Sequence, residues 1–97
     1  MLTKKEQVAL KAAANQLKAL YQLGKGELGE SHLELFDKAL KARELIKVSV
    51  LKSADQDVKV LANDVATALK AVVVETKGRT FVLFRRNPQN PQIKLPK

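Results

Sequence analysis

Leu23-Gly24-Lys25-Gly26-Glu27-Leu28-Gly29-Glu30 sets the architecture of this 97-residue chain. An apolar segment, residues 20–23, runs into it, and a helical pattern, residues 31–42, runs out of it. Three glycines fall within six residues, and a lysine separates the first two. Glycine admits positive φ and lets another backbone approach closely. A helix start carries free N–H groups and partial positive charge, so a glycine-rich turn feeding a helix offers a place for an anion. Lys25 adds a full charge at the tip. Two readings stand: a loop that holds a phosphate, or an ordinary strand-to-helix turn whose glycines only satisfy geometry. The spacing formally matches Gly-x-Gly-x-x-Gly. A dinucleotide reading is set aside, because the apolar segment ahead is short and Glu44, the acid downstream, lies just before a strand and not at its end.

Upstream, Thr3-Lys4-Lys5-Glu6 reads as a capping box. The helix it starts carries Leu10, Ala13, Ala14 and Leu17 as an apolar stripe. Lys4, Lys11 and Lys18 are spaced by sevens, which drifts only ~20° per step and keeps them on one face. That row is either a phosphate rail or a solvated helix face. Residues 19–23, with Tyr21, read as a first strand.

Downstream, Ser31 or Glu30 caps a second helix that buries Leu33, Phe36 and Leu40. Residues 45–51 are the clearest strand: Ile46, Val48 and Val50 face the core and alternate with Lys47 and Ser49. A connector follows, with Asp55 as N-cap of a third helix built on Val58, Leu61, Ala62, Val65, Ala68 and Leu69. Residues 72–76 and 80–84 form a hairpin through Lys77-Gly78, with Gly78 at positive φ. Both strands are apolar on both faces, which places them near the sheet centre or leaves Phe81 and Phe84 to serve a partner. Arg85-Arg86 closes the strand, residues 87–91 are a proline-broken turn, and residues 93–97 run along the sheet or the first helix. The order α-β-α-β-α-β-β predicts one α/β domain over residues 1–97, a four-stranded mixed sheet with three helices.

The composition narrows the function. There is no cysteine and one histidine, His32, so neither a thiolate metal site nor a disulfide framework can be built, and His32 reads as a surface or loop-facing residue. No Ser lies in a nucleophile elbow and no Gly-x-x-x-x-Gly-Lys-Ser/Thr occurs, so the expectation is a protein that is not an enzyme and needs no cofactor. No run reaches the ~20 apolar residues of a membrane span. The first residues show no secretion-signal stretch, which fits a cytoplasmic chain. The net charge is +8, and it is uneven: residues 77–97 hold six basic residues and no acid, and residues 1–29 hold five Lys against two Glu. A basic surface attracts polyanions. If the two ends meet in space they form one patch.

Leu23-Gly24-Lys25-Gly26, Arg43-Glu44-Leu45-Ile46-Lys47-Val48, Phe81-Val82-Leu83-Phe84-Arg85 and Ile93-Lys94-Leu95-Pro96, in this order, resemble the YhbY-type form of the CRM domain (chloroplast RNA splicing and ribosome maturation). The resemblance implies a compact α/β fold similar to the C-terminal domain of translation initiation factor three. It also implies an exposed Gly-x-x-Gly loop, and RNA, especially large-subunit ribosomal precursors, as the partner; separately, no sustained heptad occurs, so a monomer is expected. On that resemblance Gly24, Lys25 and Gly26 contact RNA, and Lys4, Lys11, Lys18, Lys47, Arg85 and Arg86 extend the surface. This chain departs from the pattern at Glu27, where the fourth loop glycine is expected; Gly26-Glu27-Leu28-Gly29 restores the spacing two residues later. Asn15, Gln16 and Ala19 stand where relatives often carry histidines and a proline. A basic module for an acidic protein partner is the alternative. Duplex DNA is a weaker one, since no helix-turn-helix spacing occurs.

Overall fold

Helix α1 (Lys4–Ala14) starts where its capping box places it. The Glu6 N–H donates to Thr3 Oγ1 at 3.1 Å, and the Thr3 N–H donates to Glu6 Oε1 at 2.9 Å. The computed structural model describes residues 3–19, 21–24, 29–51, 57–89 and 93. α1 stops at Ala14, sooner than the lysine row requires. The Asn15 N–H still donates to the Lys11 carbonyl, but those of Gln16 and Leu17 turn to Ala13 and Ala14, a tightening to three-residue spacing that closes the helix. Lys18 therefore lies past its end, and only Lys4 and Lys11 share a helical face.

The chain continues as β1 (Tyr21–Leu23), α2 (Glu30–Arg43), β2 (Leu45–Val50), α3 (Val58–Leu69), β3 (Val72–Lys77) and β4 (Thr80–Phe84). The sheet order is β1-β2-β4-β3, with β1 parallel to β2 and the other pairs antiparallel. The expected four-stranded mixed sheet with three helices is the observed one. β4 is central, so Phe81 and Phe84 are core residues and serve no partner. β3 is an edge strand, contrary to the reading of both hairpin strands as central. Its apolar character has another cause: Val73 packs against the α2–α3 layer, and Val74 packs with α1. A bulge between Val73 and Glu75 sets Val74 and Glu75 against Val82.

Period-two alternation splits the sheet into two packed faces. Leu23, Ile46, Val48, Val50, Phe81 and Leu83 join Phe36 and Leu40 of α2 and Leu61, Ala62 and Val65 of α3 in the larger core. Leu45, Val74, Val82 and Phe84 join Leu10 and Ala14 of α1 in a smaller one, with Leu17 and Ile93 packed against it. Each fully buried Leu or Phe contributes about 1.5–3 kcal/mol.

The helix ends correct two expectations. Gly29, and neither Ser31 nor Glu30, is the N-cap of α2. Asp57 is the N-cap of α3, its Oδ1 accepting the Lys59 N–H at 2.8 Å; Asp55 lies outside the described residues. Gly78 takes positive φ as expected. Two residues with side chains also do so, at the C-caps of α2 and α3: Glu44 at φ 63° and Lys70 at φ 56°. The left-handed region costs an L-residue roughly 1–2 kcal/mol, part of which glycine gives back as unfolded-state entropy. Lys70 is exposed. Lys70→Gly is therefore expected to stabilise the fold by about 0.5–1 kcal/mol, read as a higher urea midpoint with an unchanged slope.

Candidate functional site

The pairing brings the loops together. Leu23 lies opposite Val50 at the ends of parallel strands, and Ser49 lies opposite Thr80 at the start of β4. The exit of β1, the entry to α2, the exit of β2 and the β3–β4 turn thus share one end of the sheet. Arg79 fastens this end. Its carbonyl accepts the Val50 N–H at 2.6 Å, its Nε donates to the Val50 carbonyl at 3.0 Å, and its Nη2 donates to the Leu51 carbonyl. The Leu51 N–H donates to the Leu23 carbonyl at 2.7 Å.

The three helix N-termini are not alike. Thr3 caps α1 and Asp57 caps α3, each through a side-chain oxygen. The N-cap of α2 is Gly29, which has no side chain to offer and makes no cap hydrogen bond. Among the described residues, the helix entered from the glycine-rich segment is the one whose N-cap residue supplies no side-chain cap. Gly24 is buried where β1 ends, so it forms the inner foot of the loop and presents no surface to a ligand. Lys25, Gly26 and Glu27 lie outside the described residues. A hollow of about 300 Å³ opens at the same end between Asp57–Lys59 and Thr76–Arg79, but the Asp57 carboxylate already occupies the helix start beside it.

Of the predicted cations, Lys4, Lys11 and Lys18 are exposed and Lys47 is half-buried on β2. Arg85 is used inside the protein. Its Nη1 lies 2.8 Å from Asp37 Oδ1 and donates to the Leu69 carbonyl at 2.8 Å, and its Nη2 donates to the Asp37 carbonyl at 3.1 Å. One planar guanidinium thereby joins β4, α2 and the end of α3, which removes Arg85 from the predicted contact surface. Arg86 is exposed; its Nη1 donates to the Ile93 carbonyl at 2.9 Å. His32 is half-buried, with its ring 6.3 Å from that of Phe36.

The hydrogen bond from Arg85, helped by Lys41, holds the Asp37 carboxyl below its ordinary range. A lowered folded value means that the pair contributes its full stability above the unfolded value, near pH 4, and loses it as pH falls through the folded one. Asp37→Asn is expected to flatten the acid side of the stability profile between about pH 5 and pH 2, measured as urea midpoints.

Sequence reading missed Glu44. It is fully buried. Its Oε2 accepts the Asn87 N–H at 2.6 Å, and its Oε1 accepts the Ile93 N–H at 2.9 Å. Its carbonyl accepts the Arg85 N–H at 2.9 Å, and Arg86 Nη1 stands 3.9 Å from Oε2. Asn87 Nδ2 adds a bond to the Lys41 carbonyl. One carboxylate organises the segment that follows β4, and that segment returns Ile93 to the α1 core. The two basic ends of the chain do meet there. The Thr3 backbone N–H, foremost, holds the Glu6 carboxyl below its ordinary range, and Arg86 adds to that shift.

A mixed sheet in the order β1-β2-β4-β3, with one helix on one face, two on the other and a strongly basic composition, defines a small basic α/β module. The chain belongs to the CRS1 / YhbY (CRM) domain family, whose profile matches residues 2–85. It is 41% identical to "Probable RNA-binding protein YqeI" of Bacillus subtilis over 99% of this chain and all of that one. It is 32% identical to an "RNA-binding protein" of Haemophilus influenzae, covering 99% of this chain and 96% of the other. The solution structure of a hypothetical protein from Staphylococcus aureus, proposed there to bind RNA, superposes with a TM-score of 0.81. That protein is 35% identical and is matched over its whole length. Among the described residues no three metal-ligating side chains cluster, and no helix is long and apolar enough to cross a membrane.

Proposed function

We propose that this chain binds RNA without turnover, as an assembly factor that contacts precursor RNA of the large ribosomal subunit. The observation that carries the reading is the α2 N-terminus, the one described helix whose N-cap residue supplies no side-chain cap, entered from the segment that holds Lys25 and Gly26. The helix dipole there suits a backbone phosphate, and Lys25 pairs with it. Lys4, Lys11, Lys18, Lys47 and Arg86 add positive charge elsewhere on the surface, Arg86 past the end of β4 at the opposite end of the sheet. The names of the relatives support RNA as the polyanion. Phosphate contacts position the nucleic acid without reading its sequence.

Binding of this kind releases counterions, so affinity falls steeply with salt. Lys25→Glu is expected to weaken RNA binding about tenfold and to lower the salt slope, measured by filter binding. In a sucrose gradient of lysate the protein is expected to travel with large-subunit precursors and to leave them on RNase treatment. Complexes that survive RNase would turn the reading toward an acidic protein partner. An affinity that stays flat with salt would remove the phosphate mechanism.

A further inference from the structure

Only one face of the sheet is partly open. α2 and α3 cover the face of Ile46, Val48, Val50, Phe81 and Leu83. On the other face α1 covers Leu45, Val74, Val82 and Phe84. Past the helix, toward the loop end, one register row crosses all four strands. Gln22 stands opposite Ser49, Ser49 opposite Thr80, and Thr80 opposite Lys77. Partners in register point to the same side of a sheet, so these four polar residues line one strip. Three strand spacings make it about 14 Å long. Gln22 and Lys77 are exposed, and Ser49 and Thr80 are half-exposed. Lys47, opposite Val82, stands in the next row. Glu75 is the one acid on this face among the described strand residues.

The strip offers hydroxyls, an amide and ammonium groups, which are the partners of phosphates and of ribose 2′-hydroxyls. It offers no ring. Single-stranded RNA is held largely by stacking its bases on aromatic side chains or arginine planes. Phe36, Phe81 and Phe84 are buried, and the rings of Tyr21 and His32 pack against Phe36 on the opposite face. Arg79 and Arg85 are held by backbone carbonyls, and Arg86 by that of Ile93. Among the described residues the exposed guanidinium groups are those of Arg43, Arg79 and Arg86, and none of them belongs to the four-residue strip. Paired RNA asks for none of this. It presents 2′-hydroxyls and phosphates across a wide, shallow minor groove and is read by shape.

Resting on the RNA-binding proposal, we infer that the bound RNA is base-paired and lays its sugar–phosphate backbone across Gln22, Ser49, Thr80 and Lys77. The test is a fluorescence-anisotropy titration of the whole chain with three probes. These are an RNA hairpin of about 20 base pairs, an unstructured single-stranded RNA of equal length, and the same hairpin in DNA. The RNA hairpin is expected to bind about tenfold more tightly than either of the others. The double variant Gln22→Glu, Lys77→Glu changes two exposed side chains and keeps the wild-type urea midpoint. It is expected to lose about tenfold on the hairpin. A single strand that binds as tightly as the hairpin would overturn the inference and leave RNA binding standing. So would a double variant with unchanged hairpin affinity. Failure of both RNAs to bind would remove the RNA reading, and this inference with it.

Discussion

Replacing Glu44 by alanine is expected to cost about 3–5 kcal/mol, the largest effect of any single polar substitution in the chain. The carboxylate is fully buried and accepts backbone N–H groups from Asn87 and Ile93. Removing it leaves both donors without their acceptor. It also takes away the acid that stands 3.9 Å from Arg86. Total stability for such a domain is roughly 5–15 kcal/mol, so the loss takes a large share of it. Glutamine keeps the shape and one acceptor oxygen but turns an amide N–H₂ toward a backbone N–H. Its expected cost is about 2–3 kcal/mol. Glycine makes the sharpest comparison. It relaxes the φ of 63° but supplies no acceptor, so Glu44→Gly is expected to destabilise where Lys70→Gly stabilises. Urea unfolding gives the energies. Hydrogen exchange at the Asn87 and Ile93 amides shows whether the loss is local: accelerated exchange at both is expected in Glu44→Gln, and protection as in wild type would refute the carboxylate's role.

Phe36→Ala is expected to cost about 3–5 kcal/mol as well, for a different reason. Phe36 is fully buried at the centre of α2, with the Tyr21 ring perpendicular to it at a centroid distance of 5.9 Å. Truncation leaves a cavity under the helix and removes an edge-to-face contact worth about 0.5–1.5 kcal/mol. Leucine refills most of the space, so Phe36→Leu is expected to cost under about 1.5 kcal/mol. Tyr21 belongs to β1 and Phe36 to α2, so this contact sets the helix against the strand whose exit feeds the glycine-rich segment. RNA affinity is therefore expected to drop in the alanine variant even at temperatures where it stays folded, and to recover in the leucine variant. Equal affinity in all three proteins would show that the seat of α2 does not govern binding.

What could be read in the sequence was local. The capping box needs only Thr3 and Glu6, and both its bonds form. The alternation of Ile46, Val48 and Val50 needs only period two, and all three enter the larger core. Gly78 needs only a tight turn. The features that escaped share a cause too. Arg85 stands beside Arg86 at the end of a strand and reads as surface charge, yet its acid is 48 residues away. Glu44 reads only as an acid just before a strand, and its donors lie 43 and 49 residues on. No spacing rule reaches that far. β3 reads as central because both its faces are apolar. That α1 covers one of those faces depends on Leu10 and Ala14, which no local pattern connects to Val74.

Of the four described strands β4 is the last to be made, and it lies inside the sheet. Synthesis delivers residues in order, at about 5–20 per second. β2 and β3 are both complete before β4 exists, yet they are not neighbours: β4 must enter between them. Glu44 likewise precedes its last donor, Ile93, by 49 residues, an interval of about 2–10 s of translation. Through most of that interval the central strand is still missing, and the second partner of the buried carboxylate is missing to its end. The native sheet is therefore a late event in the life of each new molecule, completed only when β4 enters between β2 and β3.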